Sequence, residues 1–155
     1  MTARFDRSSR VAAPIERVFD LALSIDLHKA SMAASNERAI GGVTSGQIGL
    51  GEEVTWRARH LGVDWTMTSR IVELQRPTFF ADEQVRGPFK RFRHEHTFVS
   101  VDDSTDVLDR VCFEAPFQPV GAFIEGFLRR YLRRLIGTRN DLLKEWAERS
   151  REGQS

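Results

Sequence analysis

The sequence predicts an α+β fold: a curved antiparallel β-sheet wrapped around one long C-terminal α-helix, with two short helices between the first and second strands. Three observations predict it. Segments of period two follow one another from Glu52 to Glu114, separated by short turns. A helical stretch opens at Pro14 directly after the first strand. From Phe123 to Trp146 the apolar residues recur at helical period, over a length of about 36 Å at 1.5 Å per residue. An antiparallel sheet needs cover on one face, and only the last helix is long enough to supply it. A strongly curved sheet around one helix leaves a space between them, filled either by side chains or by a ligand.

Residues 4–12 form the first strand. Pro14 and Glu16 then start a helix with Ile15, Val18, Phe19 and Ala22 on its apolar face, and a second helical piece runs from about Asp26 to Ser35. Glu37 to Gly51 holds five glycines and is expected to be a short strand and a turn. Glu52–His60 places Val54, Trp56, Ala58 and His60 on one face. After the Leu61–Asp64 turn, Trp65, Met67, Ser69 and Ile71 share a face of the returning strand. Arg76-Pro77 stops that strand, Phe79–Arg86 is the next, and Gly87-Pro88 ends it. Arg91–Val101 gathers Phe92, His94, His96 and Phe98 on one face, and Asp106–Glu114 is the last strand. Past Pro119, Phe123, Ile124, Phe127, Leu128, Tyr131, Leu132, Leu135, Leu142 and Trp146 form the helical stripe, with Arg129, Arg130, Arg133 and Arg134 opposite.

A chain of this length makes one domain, expected over residues 1–149, with a polar tail at 150–155 that frays. The 41% hydrophobic and 29% charged composition excludes a disordered chain. Net charge is +1, so no whole-molecule field draws in nucleic acid, although residues 117–155 carry 8 basic against 5 acidic groups. A lone Cys112 excludes an internal disulfide, and no apolar stretch is long enough to span a membrane or act as a leader, so the expected location is the cytoplasm.

His94-Glu95-His96 is the sharpest local feature, because imidazoles two apart on a strand point to the same side. With His60 as a third ligand they would suit a metal. Hydrogen-bonded polar groups in a cavity, or plain structural residues, are the alternatives, and no metal or other cofactor is expected. His94, His96 and Asp109 are the candidates for acid/base work, since a carboxylate on an apolar strand face has a raised pKa unless it is paired. Pairing with one of the 20 arginines is the plainer expectation for Asp109, while Asp82 and Glu83 are further carboxylates to weigh. Cys112 lacks a base nearby in sequence, and the glycines around Gly49 do not complete a dinucleotide fingerprint. The Arg129–Arg134 cations would face water, paired with Glu125 and Asp141, or would touch phosphate or anionic lipid. Trp56, Trp65, Met67, Phe92, Phe98, Phe123, Phe127 and Tyr131 line a cavity or fill a core, two readings the pattern leaves open.

The first strand with Val11-Ala12-Ala13-Pro14-Ile15-Glu16-Arg17-Val18-Phe19, the run Val54–His60, the segment Asp82–Phe89 and Arg93-His94-Glu95-His96 together resemble the START-like, helix-grip superfamily of bacterial polyketide cyclase/dehydrase-like and ligand-binding proteins. The resemblance covers nearly the whole chain. It implies a cavity between sheet and C-terminal helix for a small hydrophobic ligand such as a lipid, polyketide-like or aromatic compound, with the residues above and His60, His94 and His96 as its lining. It implies carriers and cyclases alike, so a cyclase/dehydrase-like enzyme with a cavity histidine as acid/base is the alternative. The partner expected is that ligand, with no nucleic acid and no stable membrane insertion; a monomer and a homodimer are both open.

Overall fold

The computed structural model describes residues 2–116 and 121–152. Its elements in chain order are β1 (Ala3–Val11), α1 (Ile15–Ala22), α2 (Ile25–Ser31), a single 3-10 turn (Ala33–Ser35), β2 (Arg38–Gly42), β3 (Glu53–His60), β4 (Val63–Gln75), β5 (Phe79–Arg86), β6 (Arg91–Val101), β7 (Ser104–Glu114) and α3 (Gly121–Glu152). The strands make one antiparallel sheet in the order β1-β7-β6-β5-β4-β3-β2. This is the expected α+β architecture, with both short helices between β1 and β2.

Local chemistry sets the element ends. Pro14 fixes the extended residue before α1, and Ser24 caps α2 by accepting the Leu27 amide at 3.1 Å. Gly42 sits at φ 67° where a Cβ would fall 2.1 Å from the Glu53 carbonyl oxygen, so only glycine serves at the end of β2. Register shifts at Ala39/Gly41, Thr68/Ser69 and Ile71/Glu73 are bulges, which bend strands and curl the sheet toward α3.

The concave face is filled at two places and hollow between them. At one, α1 packs Val18, Phe19 and Ala22 against Phe80, Phe98, Leu143 and Ala147; the Phe19 ring stands edge-on to Phe98 at 5.2 Å and to Phe80 at 5.6 Å. At the other, Phe5, Val111 and Phe113 pack with Ile136. Arg17 ties α1 to α3 by donating to the Trp146 and Ala147 carbonyls, both at 3.0 Å.

Helix α3 is anchored through its C-terminal half. Its buried side chains are Ile136, Arg139, Asn140, Leu143 and Ala147. The expected stripe emphasises the N-terminal half instead, where Phe123, Ile124 and Phe127 are exposed. Leu128 and Leu132 of that half pack toward the Phe5 and Phe113 cluster, while Phe123, Ile124 and Phe127 stay outside it and form a rim rather than a core. The helix runs to Glu152, past the expected domain end at 149, and residues 153–155 of the expected tail lie outside the described residues.

Candidate functional site

Between the two packed regions lies a cavity of about 460 Å³, a volume suited to a small molecule. Strands β3 to β6 give it one wall, α2 an end and α3 the other wall. Trp56, Ala58, Met67, Ile71 and Phe92 reach it from the sheet and Leu128, Leu132 and Leu135 from α3, so most of the wall is apolar. All four histidines of the chain, His28, His60, His94 and His96, line it.

The polar floor is built by β5, β6, β7 and α3. The period-two pattern of β6 puts His94 and His96 on the concave face with their rings stacked at 3.7 Å, and His96 also stacks on Phe80 at 4.0 Å. His94 Nε2 donates to Asp109 Oδ1 at 2.7 Å, and Asn140 Nδ2 donates to the other oxygen at 2.6 Å. A carboxylate only accepts, so His94 carries its proton on Nε2. His96 Nε2 bonds Asp82 Oδ2 at 3.1 Å. Arg139 donates to the Ala22 carbonyl at the end of α1 at 2.8 Å, which brings its Nη1 within 3.9 Å of Asp109.

Burial alone would raise the Asp109 pKa, but the His94 hydrogen bond and the neighbouring His96 imidazole hold it well below the usual carboxylate range. Asp82 is lowered too: burial opposes this and the His96 hydrogen bond prevails. Burial pushes His94 down, helped by the His96 imidazole and resisted by Asp109, so His94 is a neutral base. Three buried atoms here have no hydrogen-bond partner in the protein: His96 Nδ1, Arg139 Nη1 and Asn140 Oδ1. His96 Nδ1 lies 3.1 Å from Asp109 Oδ1 but out of line for a bond. Buried polar atoms are rarely left so, and two of these three belong to side chains that line the cavity, His96 and Arg139.

Asp82, His94 and His96 could also each offer one ligand atom to a metal, all within 4.8 Å of one another. In the present geometry Asp82 and His96 are bonded to each other, His94 to Asp109, and the cationic Arg139 stands alongside.

Two further polar pairs sit on the wall. His28 Nε2 meets Glu37 Oε1 at 2.7 Å while its ring stacks on Trp56 at 4.2 Å. At the mouth, His60 Nδ1 and the Tyr131 hydroxyl share a 2.7 Å hydrogen bond joining the end of β3 to α3. This bond links the two lips through which a ligand would pass. Tyr131→Phe is expected to speed ligand release severalfold with little change in thermal midpoint, measured by stopped-flow Trp fluorescence; an unchanged release rate would show that the mouth is elsewhere.

Of the sequence-derived lining residues, Trp56, His60, Trp65, Met67, Phe92, His94, His96, Phe127 and Tyr131 border the cavity. Phe98 does not: α1 fills that end of the sheet and Phe98 is buried against Phe19 and Phe80. Phe123 also lies off the wall, 95% exposed in the first turn of α3. Asp109 is not on the wall but behind His94; the expected arginine is there, Arg139 at 3.9 Å, but the hydrogen bonds come from a histidine and an asparagine. Arg139, Asn140, His28 and Glu37 escape the sequence reading. Asn140 and Arg139 share the helical face of Ile136 and Leu143, a polar interruption of an apolar face that could have flagged them.

A curved antiparallel sheet gripping a long C-terminal helix around a cavity defines the START-like, helix-grip class. Residues 2–148 match the family model described as polyketide cyclase / dehydrase and lipid transport, and the chain belongs to that family. Among solved structures it is similar to a protein from Thermus thermophilus, at 15% identity and a TM-score of 0.78, covering 96% of this chain and 99% of that one. It is similar to the Zhui aromatase/cyclase from Streptomyces sp. R1128, at 16% identity and 0.78, with coverage of 96% and 95%. It also resembles a START superfamily protein from Mycobacterium smegmatis, at 11% identity and 0.70, with coverage of 94% and 97%. No curated protein matches the sequence.

Proposed function

We propose that the protein binds a small hydrophobic ligand, a lipid, polyketide-like or aromatic compound, in the cavity between the sheet and α3. The observation that carries this reading is the pairing of an apolar wall with polar side chains, His94, His96 and Arg139, gathered on the floor of the same cavity. The wall would supply affinity by burial, and the floor would orient a ligand by one oxygen-bearing end, since Arg139 Nη1 is a donor and His94 Nδ1 remains free to accept. Native mass spectrometry of the freshly purified protein against its denatured mass tests it. An adduct that disappears on denaturation is expected. A clean mass together with unchanged Trp56 and Trp65 fluorescence across a panel of apolar compounds would overturn the reading.

A cyclase/dehydrase-like enzyme is the second reading, favoured by the His94–Asp109 pair: a neutral imidazole held by a buried carboxylate suits proton abstraction from a bound substrate. His94→Ala would then abolish turnover while ligand affinity persists; loss of both together points to binding alone.

A further inference from the structure

We propose that the mouth of the cavity docks on an anionic lipid bilayer, and that the ligand enters and leaves from there; this rests on the ligand-binding reading of the cavity. Ten large apolar side chains are markedly exposed among the described residues, and six of them, Leu61, Val63, Trp65, Phe123, Ile124 and Phe127, belong to the β3–β4 hairpin tip and the first turns of α3. Four of the six also border the cavity, so they form its rim. Their clustering marks an interaction surface rather than scattered exposure.

Leu61 supports the point independently. It occupies the first position of the two-residue turn Leu61-Gly62, with φ 55° followed by 76°, a backbone suited to Asn-Gly. A leucine there is unfavourable for the turn, and 62% of it faces solvent. Folding gives no reason for that choice, whereas a partner with an apolar interior does.

Charge identifies the partner. Phe123, Phe127, Arg130 and Arg134 fall at i, i+4, i+7 and i+11 and so share one face of α3. Arg130 and Arg134 open on a surface hollow with Arg7 and Arg133, and Asp141 is its one acidic lining residue. Arg129 pairs with Glu125 at 3.4 Å, but Arg130, Arg133 and Arg134 have no carboxylate partner among the described residues. Exposed aromatics beside uncompensated arginines fit the boundary between acyl chains and anionic headgroups. The docking is peripheral, since no described helix is long and apolar enough to cross a membrane.

Co-sedimentation with phosphatidylcholine vesicles, with and without phosphatidylglycerol, tests this. Binding is expected on the anionic vesicles, weakened by salt and reduced about tenfold or more by Arg130→Glu with Arg134→Glu, and likewise by Phe123→Ser with Phe127→Ser. Leu61→Asn should weaken binding while the thermal midpoint holds or rises, which separates docking from folding. Binding indifferent to headgroup charge, binding untouched by these substitutions, or a soluble dimer that they dissociate while vesicles bind nothing would each overturn the proposal. Phenylnaphthylamine fluorescence without vesicles reports the cavity separately: docking fails alone if the probe still binds, and the cavity reading fails with it if the probe does not.

Discussion

Asp109→Ala is expected to destabilise the fold by about 3–5 kcal/mol, read from urea unfolding monitored by circular dichroism. Asp109 is fully buried, and its two oxygens hold His94 and Asn140 while balancing the Arg139 charge. Removing the carboxylate strands two donors and a cation where water has little access. For a domain of this size, with total stability of about 5–15 kcal/mol, such a loss lowers the thermal midpoint by on the order of 10 °C. Asp109→Asn keeps the volume and an acceptor for Asn140, so about 1–3 kcal/mol is expected there. Equal, small effects for both variants would show that the network contributes nothing to the fold. Acidification acts in the same direction. His94 is held below its ordinary pKa, so as pH falls below about 6.5 the unfolded imidazole takes a proton that the folded one refuses, and stability drops. Asp109 is held low as well, so its contribution is present above the ordinary carboxylate pKa and is lost as pH falls through its depressed folded value. The Asn variant should lack this second decline.

How legible this arrangement is in the sequence depends on the range of the interactions. Strand faces are a local, period-two property, and β3, β4 and β6 put Trp56, Met67, His94 and His96 on the concave side as expected. The division of that face between core and cavity is not local. Phe98 has the same parity as His94 and His96, yet it is core because α1 covers it, a fact decided by where a helix from the other end of the chain lands. The full set of Asp109 partners is non-local for a similar reason. The elements facing β7 at that point are β6 and α3, which bring up His94, His96 and Asn140 as well as the expected arginine, Arg139, at 3.9 Å. The His28–Glu37 pair depends on how the turn after α2 returns to β2, and no periodic signal encodes it.

A hollow fold must draw its stability from the regions that flank the hollow. Here the α1 contact and the Phe5, Val111, Phe113 and Ile136 contact brace α3 beyond and beside the cavity, and Arg139 bridges α1 to the floor. The first turns of α3 add little to this bracing, which leaves Phe123, Ile124 and Phe127 available for the mouth.

The same division predicts the outcome of filling the cavity. Ala58 lies on the concave face of β3, opposite Trp65 in register, and its small side chain borders the cavity. Ala58→Trp would place an indole in the open volume. If that volume is ligand space, the variant should fold with stability within about 1 kcal/mol of the parent, because new apolar contacts offset local adjustment. Ligand affinity should fall by at least about tenfold, equivalent to 1.4 kcal/mol, because the indole occupies the space the ligand needs. In a solidly packed core the same substitution would cost about 1–3 kcal/mol through overpacking and leave any surface activity unchanged. Thermal unfolding and titration of the ligand recovered by native mass spectrometry, run on the same preparation, decide between the two. A stable variant that no longer retains the ligand places function inside the cavity; an unstable one whose retained ligand is unaffected places it elsewhere on the molecule.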